Sequence, residues 1–492
     1  MDRRFPILIL LAAAAAAAVF FGCGRSRAPT ELHLRRGFVP TSSNPLDLEA
    51  ASNAMALIPV RAPLVSTGKR GEIRGVLASR WKASADFREW RFEFRDDLAF
   101  ETGEIIRPAH FAAAWTQFAA ELRRRGSDDA LLSKLEGFAS PEPDGSISGL
   151  SFDEHSLTLR FRTGFPRLLA HAGDVAYALT HASCREPDTG AWICARKAVS
   201  SGPYRIVRWD KDGLELRLRR DFPARDRHPR APDVIRFDDA RSGTNSVEVR
   251  FQDSKSPLDD PAFRFLGGME SAIGYAYCNS WTHPKSPCRD AGSRRTMRAR
   301  FYAELRKAGR EFPNSFFPLS IPGIREGTAD PRPSDAAPRG TFRVPKSAAT
   351  ADRPDPVHDA LAKTAVELGF RLEPRGVEYG DFFRELTPGL GEYRLDLMYF
   401  TGALDPEDPV ESVRSMFLSR ESTRLPDPTG RIRAYLEREP VDLSAVNDVI
   451  WEDALVWPLG HVRNGLWTKG GADLSQINGN DAVPALQWVG IE

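Results

Sequence analysis

The stretch that decides the fold is Gly391–Pro409, GEYRLDLMYFTGALDPEDP. Its first part alternates, with Leu395, Leu397 and Tyr399 on one face and polar or bulky residues on the other. Alternation with a period of two predicts a strand, and a helical pattern begins at residue 410. We therefore predict a strand, a loop from residue 401 to residue 404, an acidic segment and a helix, in that order.

Three carboxylates, Asp405, Glu407 and Asp408, occupy the predicted strand-to-helix junction and are interleaved with two prolines. Loops held by a rigid scaffold are common places for ligand contacts. A carboxylate just before a helix also satisfies the free N–H groups of the first turn. The sequence therefore leaves two alternative roles for these side chains, ligand binding and helix capping.

The beginning of the chain has the pattern of an export signal. Arg3 and Arg4 precede the apolar run Ile7–Phe21, and Gly22-Cys23 follows it. This run is shorter than the ~20 residues of a membrane-spanning helix, so we predict a signal peptide over residues 1–22. Because Cys23 directly follows a small residue, the segment resembles a bacterial lipobox, in which the thiol is acylated. A lipid-anchored periplasmic or cell-surface protein is expected, and a plainly secreted protein is the alternative.

Composition sets the scale of the protein and excludes one class of partner. The chain has 492 residues, enough for two or three domains. Its 68 Lys and Arg residues balance 67 Asp and Glu residues, leaving a formal net charge of +1. Nucleic-acid binding is not expected, because it needs a basic surface. Ten Trp residues favour a large core or an aromatic-lined pocket.

Four further cysteines, Cys184, Cys194, Cys278 and Cys288, form two pairs with the spacing C-x9-C. An even number of cysteines in an exported chain predicts disulfides. The simplest pairing links each local pair, and the other two connectivities remain open. A metal site of Cys278, His283 and Cys288 is not predicted, because this spacing matches no common zinc pattern.

Strand and helix patterns alternate along the chain, which predicts an α/β fold. The clearest hairpin pairs Tyr204–Trp209 with Leu214–Leu218 around a Lys-Asp-Gly turn. A helix is predicted over Asp128–Phe138, and Gly327–Pro356 has the composition of a linker.

The order of motifs resembles the solute-binding proteins of peptide and nickel ABC importers, known as solute-binding family 5. The similar segments extend over nearly the whole chain after the signal. They are Gly75–Trp81 with Trp90–Arg95, Thr102-Gly103 with Pro108–Trp115, Ser201–Tyr204 with Trp209, Phe317–Gly323, and Glu378–Leu386 followed by Asp396–Gly402.

The resemblance implies two α/β lobes that close like a clam shell on a ligand, with a third, smaller inserted domain. It implies lobe I over 23–67, 149–240 and 458–492. The small domain would cover 68–148, and lobe II 241–457.

The resemblance also implies the ligand contacts and the partners. Asp405 would bind the α-ammonium group of a short peptide, while the backbone of Phe400, Thr401 and Gly402 would pair with it. The expected partners are this peptide or another small solute, an ABC importer permease, and the membrane through Cys23. A monomer without a cofactor is expected.

Two other classes of function have less support in the sequence. No nucleophile elbow, phosphate-binding glycine loop or metalloprotease motif is present in the sequence, so an enzyme is not predicted. The alternative to import is an envelope lipoprotein, a sensor or an interaction partner, that retains the solute-binding fold.

Overall fold

The protein is described by a computed structural model. It describes residues 30–34, 40–47, 51–125, 129, 131–186, 189–238, 246–253, 261–267, 270, 272–278, 286, 288–327, 340–345, 355–376, 395–404, 408–418, 425, 427, 429–438, 440–454, 456–478 and 483–492.

Strands and helices alternate through these residues. The strands are β1 Glu31–Leu34, β2 Val65–Thr67, β3 Ile73–Gly75, β4 Ala78–Ala83, β5 Glu89–Phe94, β6 Leu150–Phe152, β7 Ser156–Arg160, β8 Tyr204–Asp210, β9 Gly213–Leu218, β10 Val234–Asp238, β11 Ser246–Asp253, β12 Arg264–Gly267, β13 Ala272–Cys278, β14 Gly340–Pro345, β15 Phe370–Arg375, β16 Leu397–Ala403, β17 Val456–Val462, β18 Asn464–Lys469, β19 Ala472–Asp473 and β20 Gly490–Ile491. The helices are α1 Ala51–Leu57, α2 Pro108–Arg125, α3 Leu168–His171, α4 Ala291–Lys307, α5 Pro356–Glu367, α6 Pro409–Leu418, α7 Arg431–Leu436 and α8 Leu443–Asp453.

Three sheets organise the fold. The large sheet has seven strands in the order β12-β18-β11-β1-β10-β9-β8, and β1 pairs in parallel with both of its neighbours. The small sheet has the order β4-β5-β7-β6, and the three-stranded sheet has the order β16-β13-β17. The predicted hairpin is confirmed, because β8 and β9 are antiparallel neighbours.

The three-stranded sheet is buried on both faces, which explains its apolar strands. Tyr275 and Met398 belong to a core that includes α6, α7 and α8, which we call the α6 core. Ala276 and Leu397 face the opposite way, into a second core built with α4 and α5. The alternation that was predicted for Leu397, Met398 and Tyr399 therefore separates two apolar layers rather than a core from solvent.

The small sheet has a core of its own, in which α2 packs against strands β5 and β7. Trp115 and Phe111 of α2 are buried there beside Phe92 and Leu159, and we call this the small-sheet core. Arg95 joins this region to the loop between β9 and β10, since its Nη1 lies 2.8 Å from Asp226 Oδ2 and both side chains are 8% exposed.

Sheet membership differs from three of the predicted domain boundaries. Strands β6 and β7 pair with each other and β7 pairs with β5, so the small sheet continues past the predicted end at residue 148. Strands β11 and β12 pair with β18 in the large sheet, whereas the boundary at 241 assigned them to lobe II. The chain returns from the three-stranded to the large sheet at Arg463, a few residues after the predicted 457. Hydrogen-bonded strand partners determine these limits, and a single sequence does not reveal which strands pair.

The predicted helix over Asp128–Phe138 is wrong. In the described part of this range, residues 129 and 131–138, the structure has only a short 3-10 turn, Leu132–Lys134. Leu131, Leu132 and Leu135 are fully buried in the small-sheet core, so tertiary packing rather than a helical face accounts for the apolar residues.

Candidate functional site

Strand β16 carries the predicted backbone contacts at Phe400, Thr401 and Gly402. The sequence predicted a loop from residue 401, but the strand continues to Ala403. This loop prediction is wrong because β13 pairs with β16 along its whole length. The backbone of the three residues is therefore part of a sheet and held in an extended conformation.

One edge of β16 has no strand partner in the described part of the chain, where β16 pairs with β13 alone. Asp396, just before the strand, is tied to Arg343 by backbone and side-chain hydrogen bonds, including Arg343 N to Oδ2 at 2.9 Å. Thr401, further along, is exposed. An unpaired strand edge presents N–H and C=O groups to which an extended peptide can add.

Gly402 allows a buried tyrosine to approach the strand closely. A Cβ atom at this position would lie 3.1 Å from both Cε1 and Oη of Tyr275, and 3.5 Å from Cε of Met416. Tyr275 is fully buried, so it has little freedom to move aside. The absence of a Cβ atom at Gly402 therefore lets the strand lie close to the Tyr275 ring.

The acidic segment after β16 is only partly described. Asp405 and Glu407 lie outside the described residues, between buried Leu404 and Asp408. Asp408 caps α6, since its Oδ1 accepts a hydrogen bond of 3.1 Å from the backbone N–H of Glu411. The capping alternative is thus borne out for Asp408, and the role of Asp405 stays a prediction.

Basic side chains from a distant part of the chain meet this segment. Arg167 Nε lies 3.0 Å from Asp408 Oδ2, and His171 Nε2 lies 3.9 Å from the same oxygen. Lys134 Nζ lies 3.7 Å from Glu411 Oε2 on the first turn of α6. The junction therefore combines a capped helix start with ion pairs to residues around the small-sheet core.

The environment of His171 favours its neutral form. Burial lowers the pKa of His171, and nearby Lys134 acts in the same direction. Glu411 and Asp408 oppose this pKa shift without reversing it. Arg167 and Lys134 therefore supply the positive charge that faces α6 at neutral pH.

Two carboxylates on the same side are also perturbed. Burial raises the pKa of Asp129 to about 6, against the hydrogen bonds that the carboxylate accepts from the backbone of Leu132 and Leu131 and from Tyr177 Oη. Burial likewise raises the pKa of Asp174.

The other predicted site residues have different outcomes. Cys184 and Cys194 form a disulfide with an S–S distance of 2.07 Å. Cys278 and Cys288 are buried free thiols, so the second predicted disulfide is not formed in the structure. Cys278 belongs to strand β13 and Cys288 packs in the same core, so burial rather than cross-linking accounts for them. Cys23 lies outside the described residues.

Membrane-spanning helices and metal clusters are both absent from the described residues. None of their helices combines the length and the apolar character that crossing a membrane requires. No group of three or more His, Cys, Asp or Glu side chains among them is arranged to bind a metal ion.

Sequence reasoning did not find the residues on the opposite side of the junction. Arg167, His171 and Lys134 lie more than 200 positions from α6 and belong to no motif. Tyr275 was missed as well, because its importance depends on the strand that pairs with β13. Strand pairing and contacts between remote side chains depend on the tertiary structure, and they leave no local pattern in the sequence.

Residues 72–264 match the family described as "Bacterial extracellular solute-binding proteins, family 5 Middle". A segment of 151 residues is 31% identical to the "Probable D,D-dipeptide-binding periplasmic protein DdpA" of Escherichia coli (strain K12). This match covers 30% of the chain and 26% of the relative, about a quarter of its length.

Two solved structures have the same fold at low sequence identity. The dipeptide-binding protein of Pseudoalteromonas sp. SM9913 in complex with Met-Leu is 13% identical with a TM-score of 0.70, and the match covers 94% of this chain and 100% of that one. The murein tripeptide-binding protein MppA of Escherichia coli is 14% identical with a TM-score of 0.71, with coverages of 94% and 99%. The predicted two-lobed α/β fold is thereby confirmed. The family consists of solute-binding proteins rather than enzymes, which agrees with the prediction of a non-catalytic protein.

Proposed function

We propose that this chain is a divergent member of the bacterial extracellular solute-binding proteins of family 5, which residues 72–264 match, and that it binds a short peptide between two lobes and delivers it to an ABC importer. The observation that carries the proposal is the edge of β16 that has no strand partner among the described residues and that precedes an acidic segment in the sequence. Proteins with the same fold are named for peptide binding, among them a dipeptide-binding protein and a murein tripeptide-binding protein.

The proposed recognition uses backbone and charge together. The strand edge at Phe400, Thr401 and Gly402 pairs with the peptide backbone, which makes binding tolerant of peptide side chains. Asp405 binds the α-ammonium group. A charge-assisted hydrogen bond of this kind contributes about 1.5–3 kcal/mol. Because Asp408 already caps α6, the helix start does not need a second carboxylate at Asp405.

Calorimetry with trialanine and N-acetyl-trialanine tests this proposal. We expect Asp405→Asn to weaken binding of the free peptide about tenfold or more, which follows from losing one charge-assisted bond, and to leave the acetylated peptide nearly unchanged. Glu407→Asn is the matched control on the same loop. If Asp405→Asn lowers only the melting temperature and the peptide affinity is intact, Asp405 is a structural residue and the proposed anchor is wrong.

We also propose that the protein is periplasmic or at the cell surface and is anchored through acylated Cys23. The apolar run before Gly22-Cys23 supports this. Cys23→Ser should abolish labelling by a palmitate analogue and release the protein to the soluble fraction. Unchanged labelling of the variant contradicts the proposed anchor.

The proposed lobes follow the sheets. The large sheet forms lobe I, the small sheet forms the inserted domain, and the three-stranded sheet with its helices forms lobe II. The links are short, from β12 to β13 and through Arg463 from β17 to β18. Such crossing segments are suited to hinge closure.

A further inference from the structure

The ion pairs at the start of α6 join two separately packed parts of the molecule. Asp408 and Glu411 belong to the helix start, and the helix is fixed by Val413, Met416 and Phe417 in the α6 core. The residues that meet them are fixed in the small-sheet core instead. The two cores have no residue in common among those described.

The opposite side is equally well anchored. Lys134 lies between buried Leu132 and Leu135, and Arg167 directly precedes buried Leu168. Lys134 Nζ also sits 4.3 Å from the centre of the Phe165 ring, which restricts the direction of its side chain. Each charged group is thus held by its own core.

We propose that Arg167, assisted by Lys134, is a positioning residue that clasps Asp408 and Glu411, holds the inserted domain against lobe II and so keeps the protein closed in the absence of ligand. The name "clasp" refers to these four residues. The clasp regulates access to the site of the proposed function. Its effect on peptide affinity rests on that function, but its effect on lobe closure does not.

The strength of the clasp suits a reversible contact. The Arg167 side chain is 46% exposed and that of Lys134 is 28% exposed, so water can replace either partner. Ion pairs of this exposure change an equilibrium only by about two- to fivefold. That is enough to shift a balance between open and closed forms without preventing opening.

The geometry couples the clasp to the ligand loop. The proposed anchor Asp405 lies three positions before Asp408 in the sequence, so the clasp holds a residue close to that anchor along the chain. Apparent affinity falls in proportion to the fraction of molecules in the competent form. Breaking the clasp therefore opens the protein and weakens ligand binding by the same factor.

Charges around the contact decide which variants are informative. Glu411, Lys134, Asp408 and Asp174 all act on the pKa of His171, which packs beside the contact. Arg167→Gln removes one positive charge at a partly exposed position and leaves the small-sheet core intact. Asp408→Asn removes the opposite charge but keeps the helix cap, because asparagine caps a helix as well as aspartate does.

Small-angle X-ray scattering of the ligand-free protein tests closure directly. The proteins are wild type, Arg167→Gln, Asp408→Asn and the double variant, each at about 0.1 M and about 1 M salt, where the screening length falls from about 10 Å to about 3 Å. Arg91→Gln is the control, since it breaks a 2.8 Å pair with Asp153 inside the small-sheet region. Circular dichroism confirms that each variant is folded.

We expect both single variants to have a larger radius of gyration than wild type at low salt. The double variant should be no larger than the single ones, because residues that act on one contact are not additive. High salt should increase the radius of gyration of wild type towards that of the variants. Arg91→Gln should have the radius of wild type at both salt concentrations. Folded single variants with the radius of wild type at both salt concentrations overturn the clasp.

Calorimetry with trialanine then separates the clasp from the proposed function. Arg167→Gln should weaken trialanine binding by about two- to fivefold. If the radius changes as expected but wild type binds no trialanine or other short peptide, the clasp stands and the proposed peptide function fails. If peptide binds and the radius of gyration never changes, the proposed peptide function stands and the clasp fails.

Discussion

Two Arg–Asp pairs in this protein have the same chemistry and opposite surroundings. Arg343 holds Asp396 by its backbone N–H, Nε and Nη2, at 2.9, 2.8 and 2.9 Å, and the Asp396 side chain is only 2% exposed. Arg167 Nε lies 3.0 Å from Asp408 Oδ2, and the Arg167 side chain is 46% exposed. The first pair joins β14 to the start of β16 within one region, whereas the second joins two regions.

The difference shows that burial and the number of hydrogen bonds determine what an ion pair does. A buried pair that is held by several hydrogen bonds cannot open without leaving an unpaired charge in the low-dielectric protein interior. A half-exposed pair exchanges its partner for water at little cost. Thus Arg343–Asp396 stabilises the fold permanently, and Arg167–Asp408 is suited to a contact that forms and breaks.

Removing the buried carboxylate should have the largest effect on stability. We expect Asp396→Ala to lower the free energy of unfolding by about 3–5 kcal/mol, because Arg343 is left without its partner. Urea unfolding measures the change. Arg375→Ala is the control on neighbouring β15, where the pair with Glu373 is exposed and should contribute less than about 1 kcal/mol. Similar losses for both variants would remove the distinction between buried and exposed pairs.

The Cys184–Cys194 disulfide should stabilise the fold through a covalent bond rather than an ion pair. The Cys184–Cys194 bond has a sequence separation of 10, so replacing both cysteines by alanine should lower stability by about 2–3 kcal/mol. It should leave the ligand-free radius of gyration unchanged. A reductant should lower the melting temperature of wild type but not of the double-alanine variant. A reductant effect that persists in the variant would show that another disulfide exists.

The clasp should contribute little to global stability. We expect Arg167→Gln to change the free energy of unfolding by less than about 1 kcal/mol, because its ion pair is half exposed. Urea unfolding under the conditions used for Asp396→Ala gives a direct comparison. A loss as large as that of Asp396→Ala would mean that the clasp is a permanent part of the fold.

A further prediction concerns the pH dependence of stability on the small-sheet side of the clasp. The pKa of Asp129 is raised to about 6, above its unfolded value of about 3.9, so the folded state binds more protons between these values. This carboxylate therefore makes stability fall as the pH rises from about 4 to about 6, and the loss is complete above about 6.

Asp129→Asn should remove this contribution. Its unfolding free energy should decrease less than that of wild type over the same pH range, as followed by thermal unfolding. Asp86→Asn is a control of opposite sign. The hydrogen bond from Ser84, followed by that from the Arg88 backbone, lowers the pKa of Asp86, which stabilises the fold above its unfolded pKa. Equal pH profiles for Asp129→Asn and wild type would contradict the raised pKa.

The sequence by itself determined the local elements and the class of fold. Period-two alternation located β16, and a Lys-Asp-Gly turn between apolar runs located the β8–β9 hairpin. The order of motifs indicated the family that residues 72–264 match. These features are encoded by neighbours in sequence, so a single chain is sufficient to read them.

Tertiary structure alone decided which elements meet. Pairing with β13 turned the predicted loop at 401 into a strand, and pairing with β18 placed β11 and β12 in the large sheet. It also brought Arg167 to Asp408 across 241 positions and left Cys278 and Cys288 as buried thiols. The physical reason is that strand pairing, burial and ion pairing depend on distances between remote residues, which no local pattern of side chains specifies.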